Sequence, residues 1–182
     1  MRKIPSLFER DWTGDKRIVD KVTPGTEWVT HGEGVATRKW DGAAVMFNHR
    51  LLYKRYDAKP GRIPPASFQP CSDLDPVTGH QPGWVLVGGG PEDRWFREAL
   101  QNSGGSVEGT FEACGPHFNG NPEGFDTDRL IPHGMDEVFP TPPTTFEGLR
   151  EFLKVAGIEG IVWWHPDGRM VKIKAKDFGL NR

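Results

Sequence analysis

The sequence has few cysteines, no long apolar run and no surplus of positive charge, and each of these absences excludes a class of protein. The two cysteines, Cys71 and Cys114, are too few for a disulfide framework or a cysteine-based zinc cluster. No apolar segment approaches the roughly 20 residues that cross a bilayer. The segment Met1–Arg10 carries charges instead of an apolar signal sequence. These features predict a cytoplasmic protein that is not inserted in a membrane.

The net charge of −2 excludes the strongly basic character of many nucleic-acid-binding proteins, so an anion site has to come from local clustering. One cluster of this kind lies near the end of the sequence, at Arg169, Lys172, Lys174, Lys176 and Arg182. A solvated strand face is the commoner explanation of such a run. With 182 residues and 36% apolar content, the chain can form one domain with a proper core.

Glycine and proline are abundant, with 23 and 16 residues, and they divide the chain into short segments typical of strands and loops. The residue patterns predict strands at 35–40, 43–47, 51–56, 84–87 and 107–113, the first three forming an antiparallel meander. Six prolines between 57 and 83 predict a long excursion without ladder hydrogen bonds, which either covers a ligand or is an insertion.

Two helices are predicted between these strands. One begins at Pro91, with acidic residues in its first turn. The other has a capping box formed by Thr144 and Glu147, and Gly157 can close its end.

The last predicted element is a hairpin with strands at 158–164 and 170–176 around Asp167-Gly168. If these two residues form the turn, the facing pairs are Glu159 with Lys176, Ile161 with Lys174, and Trp163 with Lys172. Side chains alternate along a strand, so this register places a carboxylate and three amines on one face. A bulge would change the register.

This surface suits lysine chemistry. A lysine attacks as a nucleophile only after it loses its proton, although the pKa of a free lysine is about 10.4. Nearby cations and a bound divalent ion both lower such a pKa.

The order of several short motifs resembles a known superfamily. Lys39-Trp40-Asp41-Gly42 looks like the K-x-D-G signature of covalent nucleotidyltransferases, which include DNA ligases, RNA ligases and mRNA capping enzymes. In family order there follow Arg55, Glu112 in Gly109–Glu112, Glu159 in Glu159–Val162, and the Lys172-Ile173-Lys174 segment. The segment from Val171 to Gly179 is similar in sequence to the corresponding part of a compact group of RNA ligases that includes a vertebrate enzyme.

The resemblance implies a role for each matched residue. Lys39 would become adenylylated, Glu159 would organise Mg²⁺ or Mn²⁺, and ATP would donate the AMP. Arg55 would engage the phosphate end of the substrate, Glu112 the ribose, and Lys172 and Lys174 the α-phosphate. The complete set of expected nucleotide-binding residues is Arg38, Asp41, Gly42, Arg55, Glu112, Lys172 and Lys174.

Two assignments stay open from the sequence. Lys54 or Arg62 could replace Arg55. Where relatives place an aromatic residue that stacks on the base, the segment Leu130–Gly134 offers an aliphatic residue or His133.

The resemblance further implies an α+β fold, an ATP-grasp-like nucleotidyltransferase core of mainly antiparallel sheets with flanking helices. Residues 1–182 would form a single domain without an OB-fold. The expected function is that of an ATP-dependent RNA ligase, which joins 5′-phosphate and 3′-hydroxyl RNA ends through a lysyl-AMP intermediate. The alternatives are a DNA ligase, a capping-type guanylyltransferase, or a nucleotide- or RNA-binding module that does not ligate.

Overall fold

A computed structural model describes residues 3–104 and 107–181, so Arg182 of the predicted basic cluster lies outside the described residues. The fold is α+β, with mostly antiparallel sheets and few helices, as the sequence predicts. The chain divides into two compact units. We call residues 4–40 with 134–181 the split unit, because two separate chain segments build it, and Lys3 with residues 41–133 the inserted unit. That the whole chain acts as one nucleotidyltransferase domain stays a prediction.

The inserted unit contains a six-stranded antiparallel sheet. Its strands, in spatial order, are β6 (Gln69–Pro70), β7 (Gln81–Leu86), β5 (Leu51–Ala58), β4 (Ala43–Asn48), β8 (Gly109–Cys114) and β9 (Arg129–Pro132). Helix α2 (Arg94–Asn102) follows a 3₁₀ turn at Pro91–Asp93. The core of this unit gathers Val45, Leu52, Ala99, Ala113, Phe118 and Leu130.

The split unit contains a four-stranded and a two-stranded sheet. The larger sheet has the order β10 (Val138–Phe139), β3 (Val35–Lys39), β11 (Gly160–Trp164) and β12 (Met170–Lys174). The smaller sheet pairs β1 (Phe8–Arg10) with β2 (Ile18–Val22). The helices are α1 (Glu27–Thr30) and α3 (Phe146–Ala156), and a 3₁₀ turn spans Ala175–Phe178. Trp163, Ile161, Ile173, Leu149 and Leu153 are among its most buried side chains.

The predicted meander is only partly correct. Strands β4 and β5 form a hairpin whose two turn residues, His49 and Arg50, both have positive φ, as a tight hairpin turn requires. Strand β3, however, belongs to a different sheet, where it pairs with β10 and β11. The partners of β3 lie far along the chain, and a local pattern carries no information about them.

The prediction of an excursion without ladder bonds between 57 and 83 is wrong at its ends and in its middle. Strand β5 continues to Ala58 and β7 begins at Gln81, so Asp57 faces Pro82. Strand β6 pairs with β7 at Gln69 and Pro70. Pro70 is tolerated because β6 is the edge strand of the sheet.

The predicted hairpin exists, but its register is shifted by one residue. Gly168 has a φ of 89° and donates its N–H to the carbonyl of His165 at 2.9 Å, so the loop has three residues instead of two. Lys174 therefore faces Gly160, and Lys172 faces Val162. Strand β12 ends at Lys174, and Lys176 is an exposed residue of the following 3₁₀ turn.

Helix α3 begins one residue later than predicted. Thr145 is the N-cap, and its hydroxyl accepts the N–H of Gly148 at 3.3 Å, so the predicted capping box of Thr144 and Glu147 is wrong. Gly157 closes the helix in the left-handed conformation, as predicted. Among the described residues, no helix is both long and apolar enough to cross a membrane.

Candidate functional site

Lys39, the last residue of β3, lies opposite Gly160 on β11, and Gly160 in turn lies opposite Lys174 on β12. Directly paired residues of an antiparallel sheet share a face, so the two lysines project on the same side with a glycine between them. A Cβ at Gly160 would collide with the carbonyl oxygen of Ile173. The close approach of β11 and β12 therefore requires glycine at this position.

The carboxylate of Glu159, immediately before β11, bridges the two lysines. One oxygen forms an ion pair with Lys39 Nζ, and the other lies 3.3 Å from Lys174 Nζ. All three side chains are largely buried. Together with Lys172 these residues form what we call the lysine cluster.

Lys172 lies two residues before Lys174, on the same face of β12. Burial, together with the charges of Lys174 and Lys39, lowers the pKa of Lys172 to about 8. Burial also lowers the pKa of Lys174, while Glu159 opposes that shift. A bound anion would stabilise these amines in their charged form.

Arg38 occupies a different environment. Alternation along β3 directs its side chain to the face opposite Lys39. The guanidinium donates to both carboxylate oxygens of Glu137, at 3.1 and 3.2 Å, and lies 4.0 Å from the ring centre of Trp40. Its expected role in nucleotide binding stays a prediction.

In the inserted unit, side chains hold the backbone of the Asp41-Gly42 turn. Glu112 accepts the N–H of Gly42 at 3.2 Å, and Glu123 accepts the N–H of Asp41 at 2.9 Å. The amide of Asn119 donates to the Asp41 carboxylate at 3.0 Å and to the Gly42 carbonyl at 2.7 Å. The predicted residues Asp41, Gly42 and Glu112 are thus brought together.

Gly42 cannot be replaced by a larger residue in this arrangement. A Cβ there would overlap the carbonyl oxygen of Ala113 and lie 2.8 Å from the Sγ of Cys114. The requirement is steric and comes from close packing of the turn on β8.

Glu112 is buried and has a further partner in His133. The Nε2 of His133 lies 2.9 Å from a Glu112 oxygen, and its Nδ1 lies 3.1 Å from the hydroxyl of Thr110. The N–H of His133 that faces Glu112 satisfies a carboxylate that burial would otherwise penalise. His133, which the sequence offers as a base contact, is therefore engaged with the predicted ribose ligand.

Arg55 lies on β5 of the inserted unit. Its guanidinium donates to the Sγ of Cys71 at 3.1 Å and lies 5.1 Å from the ring centre of Trp84. It lines a cavity of about 300 Å³ together with Lys3, Asp57, Asp75, Thr78, His80 and Pro82.

The sequence leaves two alternatives to Arg55 open. Lys54 forms an ion pair with the buried Asp93, and Arg62 is exposed. A larger cavity, of about 480 Å³ in the split unit, is lined by none of the predicted site residues.

The lysine cluster can accommodate the divalent ion that the resemblance implies. Mg²⁺ at nucleotide sites is commonly held by one or two carboxylates together with phosphate oxygens and water. Glu159 offers such a carboxylate beside amines that suit phosphates. Within residues 3–104 and 107–181, no group of three or more His, Cys, Asp or Glu side chains is arranged to hold a metal. If such an ion binds at the lysine cluster, Glu159 is the carboxylate that would hold it.

Comparison with known proteins finds relatives of this chain. The chain is similar to proteins named RNA ligase 1 from Danio rerio, Pongo abelii and Rattus norvegicus. The similarity supports an RNA ligase-like family. No family model matches the chain.

The extent of the similarity is modest. The Danio rerio protein is 27% identical over 135 residues, covering 56% of this chain and 42% of the relative. The Pongo abelii and Rattus norvegicus proteins are 35% and 36% identical over 86 residues, covering 41% of this chain and 25% of each relative. The matched region of the chain thus spans less than half the length of these relatives.

Sequence reasoning missed Asn119 and Glu123. Asn119 and Gly120 both have positive φ, and the N–H of Asn121 donates to the carbonyl of Phe118 at 2.8 Å, which closes a tight turn. The dipeptide Asn-Gly is a strong signal for such a turn and could have revealed it. No sequence signal connects this turn with Asp41.

Proposed function

We propose that the chain is an ATP-dependent RNA ligase in which Lys39 forms a covalent lysyl-AMP intermediate. The observation that carries the proposal is the lysine cluster, in which Lys39 shares a carboxylate with Lys174 and lies in the field of Lys172. The similarity to proteins named RNA ligase 1 supports the choice of RNA as substrate.

In the first step, Lys39 loses a proton to solvent, and its amine attacks the α-phosphorus of ATP. An N–P bond forms, the bond from the α-phosphorus to the oxygen that bridges it to the β-phosphate breaks, pyrophosphate leaves, and the nitrogen releases a second proton to solvent. Lys172 and Lys174 stabilise the negative charge that develops on the α-phosphate oxygens. Asp41, Gly42 and Glu112, which are brought together within the inserted unit, belong to the proposed set of nucleotide-binding residues. The divalent ion, when bound, neutralises phosphate charge.

Two further transfers complete the reaction. A 5′-phosphate oxygen of RNA attacks the phosphorus of the lysyl-AMP, and the Lys39 Nζ–P bond breaks. A 3′-hydroxyl then attacks the 5′-phosphorus, AMP leaves, and the hydroxyl proton passes to solvent. Each step forms one bond to phosphorus and breaks another.

Intact mass after incubation with ATP and Mg²⁺ tests the proposal directly. We expect the wild-type chain to gain one AMP and Lys39→Ala to gain none, because the nucleophile is absent. Lys176→Ala is the matched control, since it removes an exposed lysine close in sequence to the cluster. If Lys39→Ala gains AMP as readily as the wild type, the proposal is wrong. Labelled GTP in place of ATP separates the capping-type alternative.

The Lys39–Glu159 ion pair supports a second candidate, a nucleotide- or RNA-binding module without ligation. An ammonium held by a carboxylate binds a phosphate without attacking it. This module would bind ATP in an equilibrium assay yet show no AMP adduct at any ATP concentration.

A further inference from the structure

A single loop, residues 115–128, holds the Asp41-Gly42 turn from outside the predicted motif. Asn119 donates to the Asp41 carboxylate and the Gly42 carbonyl, and Glu123 accepts the Asp41 N–H. With Glu112 on the Gly42 N–H, both backbone N–H groups of the turn have carboxylate acceptors. Charge-assisted hydrogen bonds of this kind are stronger than those between neutral groups.

The loop is itself firmly organised. Asn121 bonds both backbone groups of Phe125, at 3.0 and 3.1 Å, and Phe118 is part of the core of the inserted unit. His117 Nδ1 lies 2.7 Å from the buried carboxylate of Asp128. A loop with this many internal contacts presents Asn119 and Glu123 in fixed positions.

The His117 ring also anchors the loop to helix α2. It stacks on Trp95 with ring centres 3.3 Å apart and an interplanar angle of 6°. The Nδ2 amide of Asn102 at the end of the helix donates to the Asp128 carbonyl at 2.9 Å. Both ends of the loop are thus tied to a regular element.

The backbone conformation explains why asparagine occupies position 119. Its φ of 48° lies in the left-handed region, which asparagine and glycine adopt more readily than other residues. Among the residue types that readily adopt this conformation, asparagine also provides an amide donor that reaches both oxygen acceptors. Glycine has no side chain, and aspartate has no side-chain N–H donor.

We infer that Asn119 and Glu123 are positioning residues that fix the Asp41-Gly42 turn in the geometry required for AMP transfer to Lys39. This inference rests on the proposed function and adds two residues from outside the motifs. Neither residue needs to touch the reacting atoms. Misplacement of a binding group by about 1 Å can slow a reaction by about 10²-fold.

Asn119→Gly is the sharpest variant, because glycine keeps the left-handed turn and removes only the side chain. Gln101→Ala is the matched control, since it removes an exposed side-chain amide from helix α2 of the same unit. In single-turnover AMP transfer at saturating ATP, we expect Asn119→Gly to be at least tenfold slower than wild type and Gln101→Ala to stay within twofold of it. Equal effects of the two variants would overturn the inference.

Asn119→Asp gives an independent test. It preserves the shape and the turn but places a second carboxylate against Asp41. We expect it to slow transfer at least as strongly as Asn119→Gly, while its thermal midpoint stays close to that of the glycine variant. A rate at the wild-type level would contradict a role for the amide donor.

Amide hydrogen exchange at Asp41 separates failure of this inference from failure of the proposed function. Glu123→Ala should raise the exchange rate of the Asp41 N–H at least tenfold, because its acceptor is removed, and Gln101→Ala should not. Unchanged exchange of the Asp41 N–H in Glu123→Ala would overturn the inference, whatever the activity of the variant. Absence of any AMP adduct on the wild-type chain would instead remove the proposed function, and the exchange rates would still decide whether Glu123 holds the turn.

Discussion

At the scale of single residues, the lysine cluster concentrates positive charge in a partly buried place. Lys39 and Lys174 share the carboxylate of Glu159, while Lys172 lies close enough for both lysines to lower its pKa. Buried cations with too few counter-charges are costly in an empty site and favourable beside a phosphate. The cluster is therefore expected to make nucleotide binding stabilise the fold.

Glu159→Gln tests the bridging carboxylate. Glutamine preserves the shape but removes the negative charge, so we expect the rate of AMP transfer to fall by about 10²-fold or more. The measurement is the rate of adduct formation at saturating ATP. Glu151→Gln, on the exposed face of α3, is the control and should react at the wild-type rate. Equal rates for both variants would rule out an active role for Glu159.

Lys172→Met tests the depressed pKa of Lys172. Between about 8 and 10.5 the unfolded chain retains a proton that the folded chain has lost, so the free energy of unfolding rises with pH in this window. Methionine cannot titrate, and we expect the variant to show a smaller rise, with the remainder contributed in part by Lys174. Urea unfolding at several pH values measures the slope.

Lys176→Met provides the comparison for this experiment, because Lys176 is exposed. Its slope should match that of the wild type. If the free energy of unfolding of Lys172→Met has the same pH slope as the wild type and Lys176→Met, burial does not lower the pKa of Lys172.

At the scale of elements, a shift of one residue in a helix start or a strand register changes which side chains make the observed contacts. The start of helix α3 is an example, since Thr145 and not Thr144 accepts the Gly148 N–H. The hairpin is another, since a three-residue loop sets Lys172 and Lys174 opposite Val162 and Gly160. Both differences are smaller than the usual error of a boundary read from sequence.

Thr145→Ala should lower the free energy of unfolding by about 1 kcal/mol, because it removes the N-cap acceptor. Thr144→Ala should change it by less than about 0.5 kcal/mol. Urea unfolding of the two variants gives both values. The reverse order would favour the capping box that the sequence suggests.

The sequence predicts elements formed by neighbouring residues and fails where distant residues decide. The β4–β5 hairpin and the end of α3 at Gly157 follow from turn and cap residues. The sheet containing β3 does not, because its partners are β10 and β11. In the same way, Glu159 can be found from a motif, whereas Asn119 contacts Asp41 only through the fold.

At the scale of the whole molecule, the inserted unit interrupts the split unit in the chain. The two segments of the split unit, residues 4–40 and 134–181, carry Lys39 and Glu159 respectively. Residues around Asp41 and Glu112 belong to the inserted unit. The residues proposed for RNA ligase activity therefore come from both segments of the split unit and from the inserted unit.

End joining by the chain tests that activity. We expect it to join a 5′-phosphorylated RNA to a 3′-hydroxyl RNA end faster than the matching DNA, since its relatives are named RNA ligases. Gel electrophoresis of labelled strands measures the product. RNA without the 5′-phosphate and the Lys39→Ala variant serve as controls. Preferential sealing of nicked DNA would contradict the choice of substrate.

The pairing of β3 with β11 also sets an order in time. Lys39 and Glu159 are 120 positions apart, so their contact closes a long loop at a cost in chain entropy. As the chain is synthesised from its N-terminus, Lys39 and the inserted unit leave the ribosome before Glu159, Lys172 and Lys174 do. Under the proposed function, a chain interrupted in translation before Glu159 carries the nucleophile without its counter-charge. Such a fragment would not consume ATP.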